Sequence, residues 1–122
     1  MNISIDDILA TIQPDNLPDP VLYQYWNCLS DRKIVINDEI SKDIIEFAVL
    51  PFIQMDSDGT GKPIEIYLDT LGGEIYPGFN LIDVLDKAKT PTTIHIMSRA
   101  LSMGLLIAMA GHNNPNVKTV CH

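Results

Sequence analysis

Ser98-Arg99-Ala100-Leu101-Ser102-Met103-Gly104-Leu105-Leu106-Ile107-Ala108-Met109-Ala110-Gly111 is the stretch that decides the fold. It follows an apolar, strand-like run, Thr93-Ile94-His95-Ile96-Met97, turns through a small polar segment, and opens a helix with almost no charge. Along the chain strand, helix, strand, helix and strand follow in turn, an order that implies parallel strands with right-handed crossovers. The first N–H groups of such a helix have no intrahelical acceptor, and its dipole favours negative charge at that end. Ser102 therefore stands where an alkoxide or an oxyanion would be stabilised. Serine is also a preferred N-cap residue, and a helix cap is the plainer reading of the same position.

Upstream, Ile66-Tyr67-Leu68-Asp69-Thr70-Leu71-Gly72-Gly73-Glu74-Ile75-Tyr76-Pro77-Gly78 repeats the plan. A buried-type strand ends in a glycine pair and a helix follows. Glycine admits positive φ and lets a ligand come close to the main chain. Two such loops at the ends of neighbouring parallel strands would share one crevice, the place where open α/β sheets bind ligands.

With these residues in view the chain resembles the ClpP family, the proteolytic subunits of Clp proteases. Gly72-Gly73 after an apolar strand, Ala100-Leu101-Ser102-Met103-Gly104 and Ala110-Gly111 match the two signature segments of that family. The resemblance runs from about Asp31 to the last residue and covers the N-terminal two thirds of a family member. It implies an α/β fold, the ClpP/crotonase-like spiral of strand-strand-helix units with parallel strands, whose C-terminal part is missing here. It implies Ser102 as nucleophile, with the main-chain N–H groups of Gly73 and Met103 as the oxyanion hole. It implies a serine endopeptidase working on unfolded polypeptide in stacked heptameric rings, with an AAA+ unfoldase that uses the ATP. No cofactor is expected in this chain. Tyr67 falls where family members line the apolar pocket that grips the unfoldase; plain packing is the other reading of it.

Family members use a Ser-His-Asp triad in that chain order. His122 falls short of the family's histidine, and the aspartate comes later still. Five positions depart from the family pattern: Asp69 stands for Asn, Leu71 for Pro, Leu101 for Ala, and Ser98-Arg99 for Gly-Gln. Bulk at Leu101 and a carboxylate at Asp69 would both weaken catalysis, so a non-catalytic or truncated ClpP-like ring subunit is the alternative. An acyl-CoA enzyme of the crotonase type and a Ser-Lys protease are further rivals. The first needs no serine nucleophile; the second needs a lysine that no spacing picks out. His95, inside an apolar strand, and His112, past the far end of the helix, are poorly placed as bases.

Composition bounds the rest. The chain has 122 residues, enough for one domain, and its 46% hydrophobic content suits a real core. A net charge of −8 argues against nucleic acid or an anionic membrane as partner. No apolar run has membrane-spanning length and no signal segment opens the chain. Cys28 and Cys121 make no disulfide framework and no metal spacing. A cytoplasmic protein with reduced thiols is expected, with Cys121 a small buried hydrophobe.

Residues 1–20 read as an accessory segment and linker, with Ile3, Ile5, Ile8 and Leu9 in an amphipathic pattern and Pro14, Pro18 and Pro20 after it. Residues 21–122 read as the incomplete ClpP-like domain. Val21–Ser30 is an aromatic-rich helix and Lys33–Asn37 a strand. Asn37 and Asp38 suit a helix start, and Pro51 should kink or end that helix between Phe47 and Leu50. Asp56–Pro63 lacks the ligand set of an EF-hand and the Gly-Lys-Ser/Thr of a P-loop, and reads as a polar turn. Leu81, Val84, Leu85 and Ala88 share one face of the next helix. If the chain ends at His122, an uncovered parallel edge predicts poor solubility outside an assembly.

Overall fold

The computed structural model describes residues 20–37 and 39–122. The accessory segment expected over residues 1–20 therefore lies, apart from Pro20, outside the described residues. Helix α1 (Pro20–Ser30) opens on Pro20, where the missing proline N–H costs nothing, and leads into strand β1 (Lys33–Ile36). A π-helical turn (Ile45–Val49) runs into α2 (Leu50–Asp56). Then come β2 (Ile64–Thr70), α3 (Ile75–Asp86), β3 (Thr92–Ala100), α4 (Met103–Ala108), a 3₁₀ turn (Ala110–Asn113) and β4 (Val117–Cys121).

The four strands are all parallel, and their spatial order is their chain order, β1-β2-β3-β4. One further pairing lies off the sheet. Ile40 and Gly73 form an isolated parallel bridge, with Ile40 N–H donating to the Gly72 carbonyl (2.9 Å) and Glu74 N–H to the Ile40 carbonyl (2.7 Å). The first two units thus each read as a main strand, a single bridging residue and then helix. This is the expected strand-strand-helix plan with its second strand reduced to one residue.

Burial is one-sided. Ile64, Ile66, Leu68 and Thr70 alternate with half-buried Glu65, Tyr67 and Asp69 along β2. The buried face of the sheet, with Ile34, Ile36, Ile66, Leu68 and Ile94, packs against Phe52, Leu81, Leu85 and Ile107 from the helical layer. On the opposite face the register lines up Val35, Tyr67, His95 and Val120 in one row, and Val35 and Val120 are exposed.

Three local expectations are corrected. The helix after β1 does not start at Asn37: Ile40 is held in the bridge to Gly73, and helical structure follows only after it. Of the two outcomes expected at Pro51, a kink or an end, the helix does not end there. The proline sits in the first turn of α2, where no N–H is needed, and the π turn before it absorbs the change of register. Cys121 is exposed at the end of β4 rather than buried. The polar turn is as expected, and Arg32 closes it. The Arg32 guanidinium pairs with Asp58 and donates to the Met55 (3.0 Å) and Lys62 (2.9 Å) carbonyls. Among the described residues, no helix is long and apolar enough to cross a membrane.

Candidate active site

The carboxyl ends of β2 and β3 lie side by side, and Thr70 ties them together. Its carbonyl accepts from Leu101 N–H (3.2 Å), and its hydroxyl accepts from Gly72 N–H (3.1 Å). The glycine loop after β2 and the serine turn after β3 are therefore built on one buried residue.

Ser102 is exposed at the N-cap position of α4, yet its side chain makes no capping hydrogen bond. Its backbone is at φ 52°, ψ −120°, one of two non-glycine residues with positive φ among the described residues. A β-carbon in such a conformation carries strain of about 1–3 kcal/mol, and strained residues of this kind gather at functional sites. A sharp strand-to-helix turn that lifts a serine into solvent is also the geometry of a nucleophile elbow.

Glycines make the turn possible on both sides. A β-carbon on Gly104 would come within 2.5 Å of Thr70 Cγ2, so α4 approaches β2 only because that atom is absent. A β-carbon on Gly78 in α3 would meet the Met103 side chain at 2.3 Å. Met103 is thereby buried against α3, while its N–H, at the start of α4, has no intrahelical acceptor.

The glycine pair divides its work. Gly72 is buried at φ 105°, and a β-carbon there would lie 2.8 Å from Ser102 Cβ and 3.3 Å from Met103 N. Gly73 is exposed at φ 152°, and a β-carbon on it would lie 2.2 Å from the Ile40 carbonyl oxygen. The bridge to Ile40 uses the Gly72 carbonyl and the Glu74 N–H, and does not engage the Gly73 N–H. The structure thus brings together Ser102, Met103 and the Gly72-Gly73 loop.

Tyr67 stands apart from them, on the open face of the sheet. Its ring stacks on His95 (centroids 4.7 Å, 11° between planes) and its hydroxyl donates to Glu65 (3.4 Å). His122 does not turn towards Ser102 either. Its Nε2 lies 2.8 Å from His95 Nδ1, and its N–H donates to the Ile96 carbonyl (3.0 Å).

Two features escaped the sequence reading. Ile40 has no motif, and only the fold shows that it clamps the glycine pair. Asp69 and Arg99, noted singly as departures, form an ion pair (Nε to Oδ1 3.1 Å). Both border a cleft of about 410 Å³ that Asn37, Thr70, Gly72 and Gly73 also line. The carboxylate expected to trouble the site is thus matched by a guanidinium.

Comparison with known proteins gives the family. The Clp protease family model matches residues 19–122. The chain is 35% identical over 82 residues to ATP-dependent Clp protease proteolytic subunit 2 of Treponema pallidum, covering 67% of this chain and 41% of that protein. It is 27% identical over 99 residues to proteolytic subunit 1 of Salinibacter ruber, covering 77% and 42%. It is 27% identical over 103 residues to the proteolytic subunit of Deinococcus radiodurans, covering 80% and 50%. The chain spans about half the length of the curated relatives it matches.

Proposed function

The chain belongs to the Clp protease family, and on that premise we propose that it carries the nucleophile half of a serine endopeptidase site. Ser102 Oγ attacks the peptide carbonyl carbon. The Ser102 proton passes to a histidine that the family resemblance places beyond His122, and then to the departing amine. The N–H groups of Gly73 and Met103 hold the oxyanion, and water then hydrolyses the acyl-enzyme. The observation that carries this reading is the backbone of Ser102: a serine at an N-cap position that does not cap, held at φ 52° beside the glycine pair.

The wider role is part of the same proposal. The substrate is unfolded polypeptide, the domain is residues 21–122 with 1–20 accessory to it, and the setting is the cytoplasm. Self-association into stacked heptameric rings is supported by apolar residues left in solvent along α3, α4 and the residue after it: Tyr76 at 84% exposure, and Ile75, Phe79, Leu105, Leu106 and Met109 exposed as well. The ATP belongs to an AAA+ unfoldase. Tyr67, on the open face of the sheet, contributes to the surface that unfoldase grips.

A fluorophosphonate probe followed by intact-mass and peptide mapping tests the chemistry. One adduct, mapped to Ser102 and absent from Ser102→Ala, is the expected result. No adduct on the assembled protein, or an adduct that survives Ser102→Ala, overturns the reading and favours a non-catalytic ring subunit.

A further inference from the structure

The register between β2 and β3 is regular up to Leu68, which pairs with Ile96, and then slips. The next pair is Thr70 with Ala100, so β3 carries two more residues than β2 across this interval. Met97, Ser98 and Arg99 bulge opposite the single residue Asp69. Bulges re-aim the chain that follows them. Here the chain that follows is Leu101 and Ser102, so the direction in which the nucleophile turn leaves the sheet is set by this bulge.

One side-chain interaction spans it. Arg99 Nε donates to Asp69 Oδ1 at 3.1 Å, from the bulged strand to the residue it overhangs. On either side of this contact the backbone is regular again, with the Leu101 N–H to Thr70 carbonyl bond (3.2 Å) immediately beyond. Arg99 and Asp69 are 47% and 32% exposed. A pair this exposed adds little to global stability. It is well sited to hold a local geometry, because the regular β2–β3 pairing is interrupted at the bulge it spans.

We propose that Asp69 and Arg99 are positioning residues, an electrostatic latch across the β3 bulge that holds the Ser102 turn against the glycine loop. Its catalytic consequence rests on the protease reading above; its structural consequence does not. The pair also keeps the Asp69 carboxylate from standing uncompensated beside the oxyanion-binding loop, where a free negative charge would oppose the developing one.

Site-resolved amide hydrogen exchange on the full chain tests the latch without any turnover. In Arg99→Gln and Asp69→Asn, protection at Leu101 should fall about three- to fivefold, in keeping with the strength of a part-exposed pair. Protection at Ile94 in the centre of β3, and the melting temperature, should stay as in the wild type. The charge-swapped double variant Asp69→Arg/Arg99→Asp should regain most of the loss. Raising salt to about 1 M, where the screening length is about 3 Å, should reproduce the single-variant behaviour in the wild type. Unchanged protection at Leu101 in both single variants overturns the proposal. So does an equal loss at Ile94, which would mean general destabilisation, and so does failure of the swap to rescue. Probe labelling of Ser102 in the same variants is read separately. An intact latch with no labelling in the wild type would sink the protease reading and leave the latch standing.

Discussion

Replacing Ser102 by glycine should make this protein more stable, and the size of the gain can be worked out. Ser102 sits at φ 52°, ψ −120°, and its hydroxyl caps nothing. The strain of a β-carbon there is about 1–3 kcal/mol, and glycine removes it. Against this, glycine adds freedom to the unfolded chain worth about 0.4–1 kcal/mol. The net is a stabilisation of about 1 kcal/mol, or about 4 °C in melting temperature for a domain of this size. Alanine keeps the β-carbon and loses no cap, so Ser102→Ala should stay within about 0.5 kcal/mol of wild type. A capping serine behaves in the opposite way: alanine costs about 1 kcal/mol and glycine a few tenths. Urea melts of the three proteins decide between them, since the expected order is glycine first with serine and alanine level. If the order is serine, then glycine, then alanine, Ser102 is a helix cap and the strain assigned to it is wrong.

Two further outcomes rest on other parts of the fold. Asn114 is buried, its amide nitrogen donates to the Leu85 (2.9 Å), Asp86 (3.2 Å) and Ala88 (3.0 Å) carbonyls, and its oxygen accepts from Asn116 N–H (3.0 Å). Asn114→Ala strips the end of α3 of its acceptors' partner and should lower the unfolding free energy by about 2 kcal/mol, seen as a lower urea midpoint at unchanged slope. Burial pushes the Tyr25 phenol from 10.0 up to about 12, and its hydroxyl donates to the Phe47 carbonyl (2.9 Å). Because the folded-state value is the higher one, the unfolded chain ionises first; Tyr25 contributes fully below pH 10, and its contribution fades as pH rises through about 12. Stability measured across that alkaline range should fall less steeply in Tyr25→Phe than in the wild type.

How much of this was legible in the sequence depended on distance along the chain. The strands were, because runs such as Ile64-Glu65-Ile66-Tyr67-Leu68 carry their own signal, and the parallel order followed from the helices between them. Gly72-Gly73 was legible as a loop permitting close approach and Ser102 as the mouth of a helix, and the structure gives both glycines of the pair a neighbour that a β-carbon would strike. Pro51 announced an irregularity but not its form, since a proline's missing donor can be met by a stop, a kink or a π turn. The Ile40–Gly73 bridge was invisible: a pairing of one residue across more than thirty leaves no periodicity to read. Asp69 and Arg99 were seen only as unusual residues, because their partnership depends on a register slip that appears when two strands are laid together. Asn114 carries no motif, and only packing shows that it closes the end of α3.

Strand order that equals chain order has a consequence for how the protein is made. During synthesis the N-terminal portions emerge first. Each new strand of this sheet then finds the edge of its predecessor already present, and no strand must be threaded between two earlier ones. The glycine loop can therefore be locked onto Ile40 while β3 is still unmade. The Ile40 clamp on the glycine loop needs nothing from β3, whereas the turn at Ser102 needs both, because Leu101 N–H donates to the Thr70 carbonyl of β2.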